Sequence, residues 1–231
     1  MKRIVLLFTT IVSLSAFGQK KNKATFFSTS GIGVSFQKFE NLNSRIANFP
    51  QYKELKDHDF TLTLGSMKVM RNFISSLSVT GGSSLSGDKH KRSSSLNFLS
   101  GGIDIGYDVI PGDVIMLYPM IGIGAEGYQA KYHLDNSTVP FDVVLGSPTT
   151  QNNIESLKLT NSFVTYRLGL GFAVKSPKHT GAIGIRAGYI GSFKDREWKS
   201  AEGQTLGGAP KDNLSRFQVS LVMMGMPKFM K

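Results

Sequence analysis

No cysteine occurs among the 231 residues. That absence excludes disulfides, thiolate zinc sites, a cysteine nucleophile and the acylated cysteine of a lipoprotein. Whatever anchors the protein must therefore come from its fold. Proline is scarce at eight residues, whereas glycine reaches 25. In such company glycine punctuates regular structure rather than marking a low-complexity chain. Beyond the N-terminus no apolar run approaches the roughly 20 residues that a spanning helix needs. The four histidines, His58, His90, His133 and His179, show no metal-ligand spacing. Phosphate-binding loops, dinucleotide fingerprints and calcium loops are missing as well. The GxG pairs at Gly31/Gly33, Gly122/Gly124 and Gly169/Gly171 lie inside strand-like segments rather than at strand-to-helix turns.

What is present begins with an export signal. Lys2 and Arg3 precede the apolar stretch Ile4 to Phe17, and Ala16-Phe17-Gly18 offers a small-x-small cleavage site. The expectation is a cleaved signal peptide over residues 1–18 and a single domain over 19–231. A chain of this length suits one domain or one closed barrel. Removing Lys2 and Arg3 lowers the formal charge from +11 to +9. An exported basic chain without a basic stripe interleaved with aromatics points away from nucleic acid and toward lipid phosphates or anionic glycans.

Period-two alternation recurs along the mature sequence and predicts eight strands, over residues 24–37, 59–66, 71–81, 94–109, 114–133, 160–175, 180–193 and 214–227. Most reach the 9 to 11 or so residues that a tilted membrane-spanning strand requires. The connections alternate in length. Residues 38–58, 82–93, 134–159 and 194–214 form long loops, while 67–70, 109–113 and 176–180 form tight turns. All long loops then fall at one end, as in outer-membrane barrels. The fold class expected is all-β: an eight-stranded antiparallel up-and-down transmembrane β-barrel. Pro119, unable to donate to a ladder, predicts a bulge in the fifth strand.

The faces of the strands differ in kind. In the sixth, Val164, Tyr166, Leu168, Leu170, Phe172 and Val174 alternate with Thr165, Arg167, Gly169, Gly171, Ala173 and Lys175. The large apolar face suits lipid and the small or charged face suits a narrow lumen. On the apolar face near strand ends, Tyr107, Tyr118, Tyr166, Tyr189, Phe36, Phe39 and Phe60 are expected to form interfacial girdles. Lys20, Lys21, Lys23, Lys68, Arg71, Lys175, Lys178, Lys228 and Lys231 gather at the short-turn end. In the first loop, Leu42, Ile46, Phe49 and Leu55 could form a short amphipathic helix, but Pro50 breaks the period, and a capping loop is the favoured reading.

The segments GYDVIPGDVIMLYPMIGIGAEGY (106–128) and VTYRLGLGFAVKSPKHTGAIGIRAGY (164–189), with SAFGQ at the signal's end, resemble the outer-membrane β-barrel domain proteins of Bacteroidota. That group is related in architecture to the small eight-stranded outer-membrane barrels. The resemblance spans essentially the whole mature chain. It implies an outer-membrane location, insertion by the barrel-assembly machinery and, for many members, no known biochemical role. Phe217, Val219, Leu221 and Met223 alternate as an assembly signal would, whereas the ending Pro227-Lys228-Phe229-Met230-Lys231 departs from the usual aromatic terminus.

The functional expectation is a non-enzymatic barrel with a side-chain-filled lumen and a structural or surface-interaction role. It should be monomeric, surrounded by outer-membrane lipid and lipopolysaccharide, without cofactor, metal or nucleic acid. One alternative is a narrow channel or hydrophobic-ligand conduit. Another is a rim enzyme acting on lipid A, for which His133 with Ser162 or Ser192 are the candidates. Within the lumen, Asp104, Glu126, Arg167 and Arg186 lie on consecutive strands and are expected to form an ion-pair network, because an unpaired charge there is costly.

Overall fold

The computed structural model describes residues 24–87, 92–110, 112, 114–177 and 180–226. The expected signal peptide, His90, His179, Lys20, Lys21, Lys23, Lys178, Lys228 and Lys231 lie outside the described residues. Eight long strands form the wall: β1 (Thr25–Gln37), β2 (His58–Met70), β3 (Phe73–Gly87), β4 (Ser93–Tyr107), β5 (Ile115–His133), β6 (Leu157–Lys175), β7 (Gly181–Ser192) and β11 (Ser215–Gly225). Each pairs antiparallel with the next, and β11 returns to β1 with Phe36 opposite Phe217, so the sheet closes without an open edge. Closure satisfies the backbone hydrogen bonds that lipid cannot.

Alternation assigns the faces. Ile32, Phe60, Leu62, Leu64, Leu99, Ile103, Ile121, Ile123, Leu168, Leu170, Ile183 and Ile185 project outward and are exposed. A soluble barrel would bury these side chains, whereas here they form the lipid-facing belt of a membrane-spanning one. The inward positions carry Gly31, Thr61, Ser78, Asp104, Glu126, Arg167 and Arg216. Two members of the expected girdle belong inside instead: Tyr118 and Phe39 are buried. Tyr118 shares its face with Met116, Gly122 and Glu126 rather than with Ile121 and Ile123, because strand parity overrides its aromatic character.

Three features of the strands depart most from expectation. β2 runs on to Met70, and the tight turn is Arg71–Asn72, with Met70 opposite Phe73. Met67 and Val69 continue the inward series, so the alternation does not stop at residue 66. The second loop is mostly strand, since the β3–β4 ladder extends to Gly87 opposite Ser93. Inward Ser84, Ser86 and Ser94 are buried and Ser83, Ser93 and Ser95 point outward, so serine occupies both faces and gave the segment the composition of a loop. Pro119 makes no bulge: the β5–β6 register is constant from Ile115↔Val174 through Pro119↔Leu170 to Tyr132↔Leu157. Its missing N–H falls where the β4–β5 ladder stops, at Gly106↔Met120, so nothing is lost there.

The first loop does contain a helix, α1 (Glu40–Ala47), with Leu42, Asn43 and Ile46 buried. It ends before Pro50, so the proline limits the helix without preventing it. The third loop carries α2 (Phe141–Gly146) and α3 (Pro148–Asn153), and the fourth carries the two-residue strands β8 (Arg196–Glu197), β9 (Lys199–Ser200) and β10 (Lys211–Asp212).

Candidate functional site: a layered lumen

The lumen is stacked in layers along the barrel axis. At the loop end Phe39, Leu42, Ile46, Phe98, Tyr128, Phe163 and Trp198 pack into an apolar plug. Phe39 is central to it, with ring centroids 5.1 Å from Tyr128 and 5.2 Å from Trp198, both edge to face, a favourable aromatic geometry. At the turn end Phe27, Met67, Ile74, Met116, Tyr118, Val222 and Met224 form a second apolar cluster. Between them lies the polar interior. Polar residues thus occupy the middle of the lumen and apolar ones close it at both ends.

A carboxylate holds the upper plug in place. Asp212 Oδ1 accepts the Asn41 N–H at 2.9 Å, and Oδ2 accepts the Leu42 N–H at 3.1 Å and the Trp198 Nε1–H at 2.9 Å. The first backbone donors of α1, which have no partner inside the helix, are satisfied by an acid from the fourth loop. Asn43 adds a reciprocal pair with the Leu55 backbone, donating to its carbonyl at 3.2 Å and accepting its N–H at 3.1 Å.

Below the plug, Glu126 is the centre of a buried polar group. Its Oε1 accepts from Arg216 Nη2 at 2.6 Å and from Ser100 Oγ at 2.8 Å, and its Oε2 accepts from Tyr128 Oη at 2.7 Å. Neither side chain of the Glu126–Arg216 pair has any exposed surface. The guanidinium carbon of Arg216 sits 4.2 Å from the Phe98 ring centroid, a stacked cation–π arrangement. Gln37 extends the group by donating to Asp59 Oδ2.

The next layer holds Asp104 and Arg167. Arg167 Nε lies 3.5 Å from Asp104 Oδ1, and Arg167 Nη1 donates to Ser78 Oγ at 3.2 Å, while Ser76 Oγ donates to Asp104 Oδ2 at 3.3 Å. The two residues share a rung, each opposite Gly122 on the strand between them. A Cβ at Gly122 would overlap Asp104 Oδ1, and one at Gly102 would overlap Arg167 Nη1. The glycines therefore provide the space in which this pair can form.

Arg186 stands apart from both acids. Its Nε donates to Tyr118 Oη at 3.0 Å and its Nη2 approaches Met67 Sδ at 3.3 Å, with the Tyr118 ring 5.6 Å away. Of the four residues expected to form one network, Asp104 and Arg167 meet, Glu126 pairs instead with Arg216, and Arg186 meets neither acid. The lumen of an eight-stranded barrel is narrow enough for long side chains to reach the far wall. β5 meets β11, and β7 meets β5 and β2, across this space. Arg216, Asp59 and Gln37 escaped notice in the sequence. Alternation with the outward Phe217, Val219 and Leu221 nevertheless marks Arg216 as inward-facing.

The rim candidates are not brought together. His133 is opposite Ser93, whereas Ser162 is opposite Gly127. Six residues of strand separate these rungs, about 20 Å. Ser192 is opposite Thr165, still further toward the turns, and its Oγ accepts the Leu214 N–H at 2.9 Å. Among the described residues no group of three or more histidine, aspartate or glutamate side chains could hold a metal ion.

No family model matches the chain, and neither does any curated protein. Solved structures do. A major outer membrane protein from Thermus thermophilus superposes with a TM-score of 0.51 at 11% identity, covering 87% of this chain and 98% of the other. Neisserial surface protein A gives 0.50 at 11% identity, covering 89% and 99%. The attachment invasion locus protein Ail of Yersinia pestis, in complex with the heparin analogue sucrose octasulfate, gives 0.49 at 10% identity, covering 87% and 99%. The fold is that of the small eight-stranded outer-membrane barrels.

Proposed function

We propose that this chain is a non-conducting, non-enzymatic barrel of the outer membrane, which presents its loop end as an interaction surface. The observation that carries the reading is the closure of the lumen at both ends: Phe39, α1 and Trp198 above, and Tyr118, Met67 and Met116 below. The Asp212 clamp makes the upper closure part of the fold rather than a loop resting on it. The outward apolar belt supports membrane residence, and the barrel architecture supports the outer membrane in particular. Export through a cleaved signal over residues 1–18 accords with this location. The alternating Phe217, Val219, Leu221 and Met223 suit recognition by the barrel-assembly machinery, and the segments 106–128 and 164–189 resemble the Bacteroidota barrels. Surrounding lipid and lipopolysaccharide are the partners that the belt and the basic balance favour.

The ion pairs are structural in this reading. Glu126–Arg216 and Asp104–Arg167 fix strand register and fill the lumen. The polar cavity around Arg186 favours a second reading, a narrow conduit. Recordings in planar bilayers separate the two. A closed barrel gives no stepwise current at moderate voltage, and reproducible conductance overturns the proposal. Membrane fractionation with heat-modifiable gel mobility tests location, and recovery in a soluble periplasmic fraction overturns that part.

A further inference from the structure

Beside the Asp104–Arg167 pair, and reaching from Ile190 of the upper cluster to Val222 of the lower, lies a cavity of about 70 Å³. At 10 to 15 Å³ for each water, that is room for roughly five. Thr29, Thr63, Ser78, Thr80, Gln218 and Ser220 supply hydroxyl and amide donors to its wall. Three charged residues also line it: Asp104, Arg167 and Arg186. Asp104 and Arg167 cancel one another. The positive charge of Arg186 is met by a phenol oxygen and a thioether, and among the described residues no carboxylate lies within ion-pair distance of it.

The cavity therefore carries one net positive charge in a low-dielectric barrel, where an uncompensated ion is expensive. Of the other buried carboxylates, Glu126 and Asp59 belong to the group around Arg216, Asp212 holds α1, and Asp108 accepts the Ile110 and Leu117 N–H groups at the turn end. Ser220 is directly opposite Arg186 on β11, and Gln218 is two residues further along the same strand, so both share the wall of the cavity with Arg186. Neutral donors lining one cavity with a surplus of one positive charge suit a small monovalent anion.

We propose that this cavity binds one halide-sized anion, chloride under ordinary conditions, held by Arg186 and the surrounding hydroxyl and amide donors. This goes beyond the closed-barrel reading and does not depend on whether the barrel conducts. The anion neutralises the local charge of Arg186 and acts as a ligand of the folded state. Stability then rises with the logarithm of halide concentration above the dissociation constant.

The test is thermal unfolding of the protein folded in detergent micelles, in bromide or chloride against gluconate at matched ionic strength. Gluconate is too large for the cavity. Wild type should show a saturable, halide-specific rise in midpoint. Gln218→Glu supplies an internal carboxylate beside Arg186 and should abolish the halide-dependent part, as should Arg186→Gln. Comparing variant with wild type removes the general salt effect. Crystals grown in bromide should show an anomalous peak within hydrogen-bond reach of Arg186. Equal midpoints in halide and gluconate, with no bromide peak in the cavity, overturn the proposal. If Arg186→Gln fails to fold, Gln218→Glu decides alone, and undiminished halide dependence in that variant overturns it too.

Discussion

Glu126 and Arg216 meet at 2.6 Å from opposite walls of the barrel, and neither side chain reaches solvent. Truncating one leaves the other as a buried, uncompensated charge. Glu126→Ala should lower unfolding stability by about 3–5 kcal/mol, read from urea unfolding in micelles. Glu126→Leu combined with Arg216→Met should recover much of that loss, because apolar side chains of similar volume remove both charges together. Pairing Glu126→Ala with Arg186→Ala should give additive losses within about 0.5 kcal/mol. Strong coupling in that second pair would contradict the observed partners.

Trp198 is the chain's single tryptophan, and its indole N–H donates to Asp212. Asp212→Ala removes the acceptor for this group and for two backbone N–H groups of α1. The plug should loosen, at a cost of about 1–2 kcal/mol. Tryptophan emission should shift to the red and become accessible to acrylamide while the barrel keeps its heat-modifiable mobility. An unchanged spectrum would show that the plug stands without the clamp.

Adjacent glycines should respond in opposite ways. Gly101 faces outward, with nothing within 4 Å of where an added methyl group would stand, whereas Gly102 lies beneath the Arg167 guanidinium. Gly101→Ala should be neutral or stabilising by up to about 1 kcal/mol. Gly102→Val should displace Arg167 from Asp104 and cost about 1–3 kcal/mol. Urea midpoints of the two variants test the face assignment one residue at a time.

The topology predicts which positions are reached from outside the cell. Epitope tags beside Asn152 in α3 or at Gly207 in the fourth loop should be labelled on intact cells. Tags at Gly112 in the β4–β5 turn should be labelled only after the outer membrane is permeabilised. The reverse pattern would invert the barrel.

Strand number and facing were legible because each strand repeats one physical decision, lipid or lumen, every second residue. Val164 to Lys175 shows this without ambiguity. The lumen's partners were not legible. Which charges meet depends on the relative heights of residues on strands that are not sequence neighbours, and shear sets those heights. Glu126 could therefore be placed inside from sequence, but its partner Arg216, 90 residues away, could not be chosen over Arg167 or Arg186. The serine-rich top of the β3–β4 hairpin was misread for a related reason. Once a strand rises clear of lipid, its outward face loses the apolar half of the pattern.

The bonds from Asp212 to Asn41 and Leu42 join residues about 170 positions apart. The helix belongs to the first hairpin and the clamp to the segment just before the last strand. During assembly, α1 has no acceptor for its leading amides until nearly all of the wall exists. The mouth is thus the last part of the molecule that can shut, and the growing barrel is an open, wetted vessel until its eighth strand approaches. Solutes small enough to enter can be enclosed at that moment, and those that satisfy Arg186 will remain.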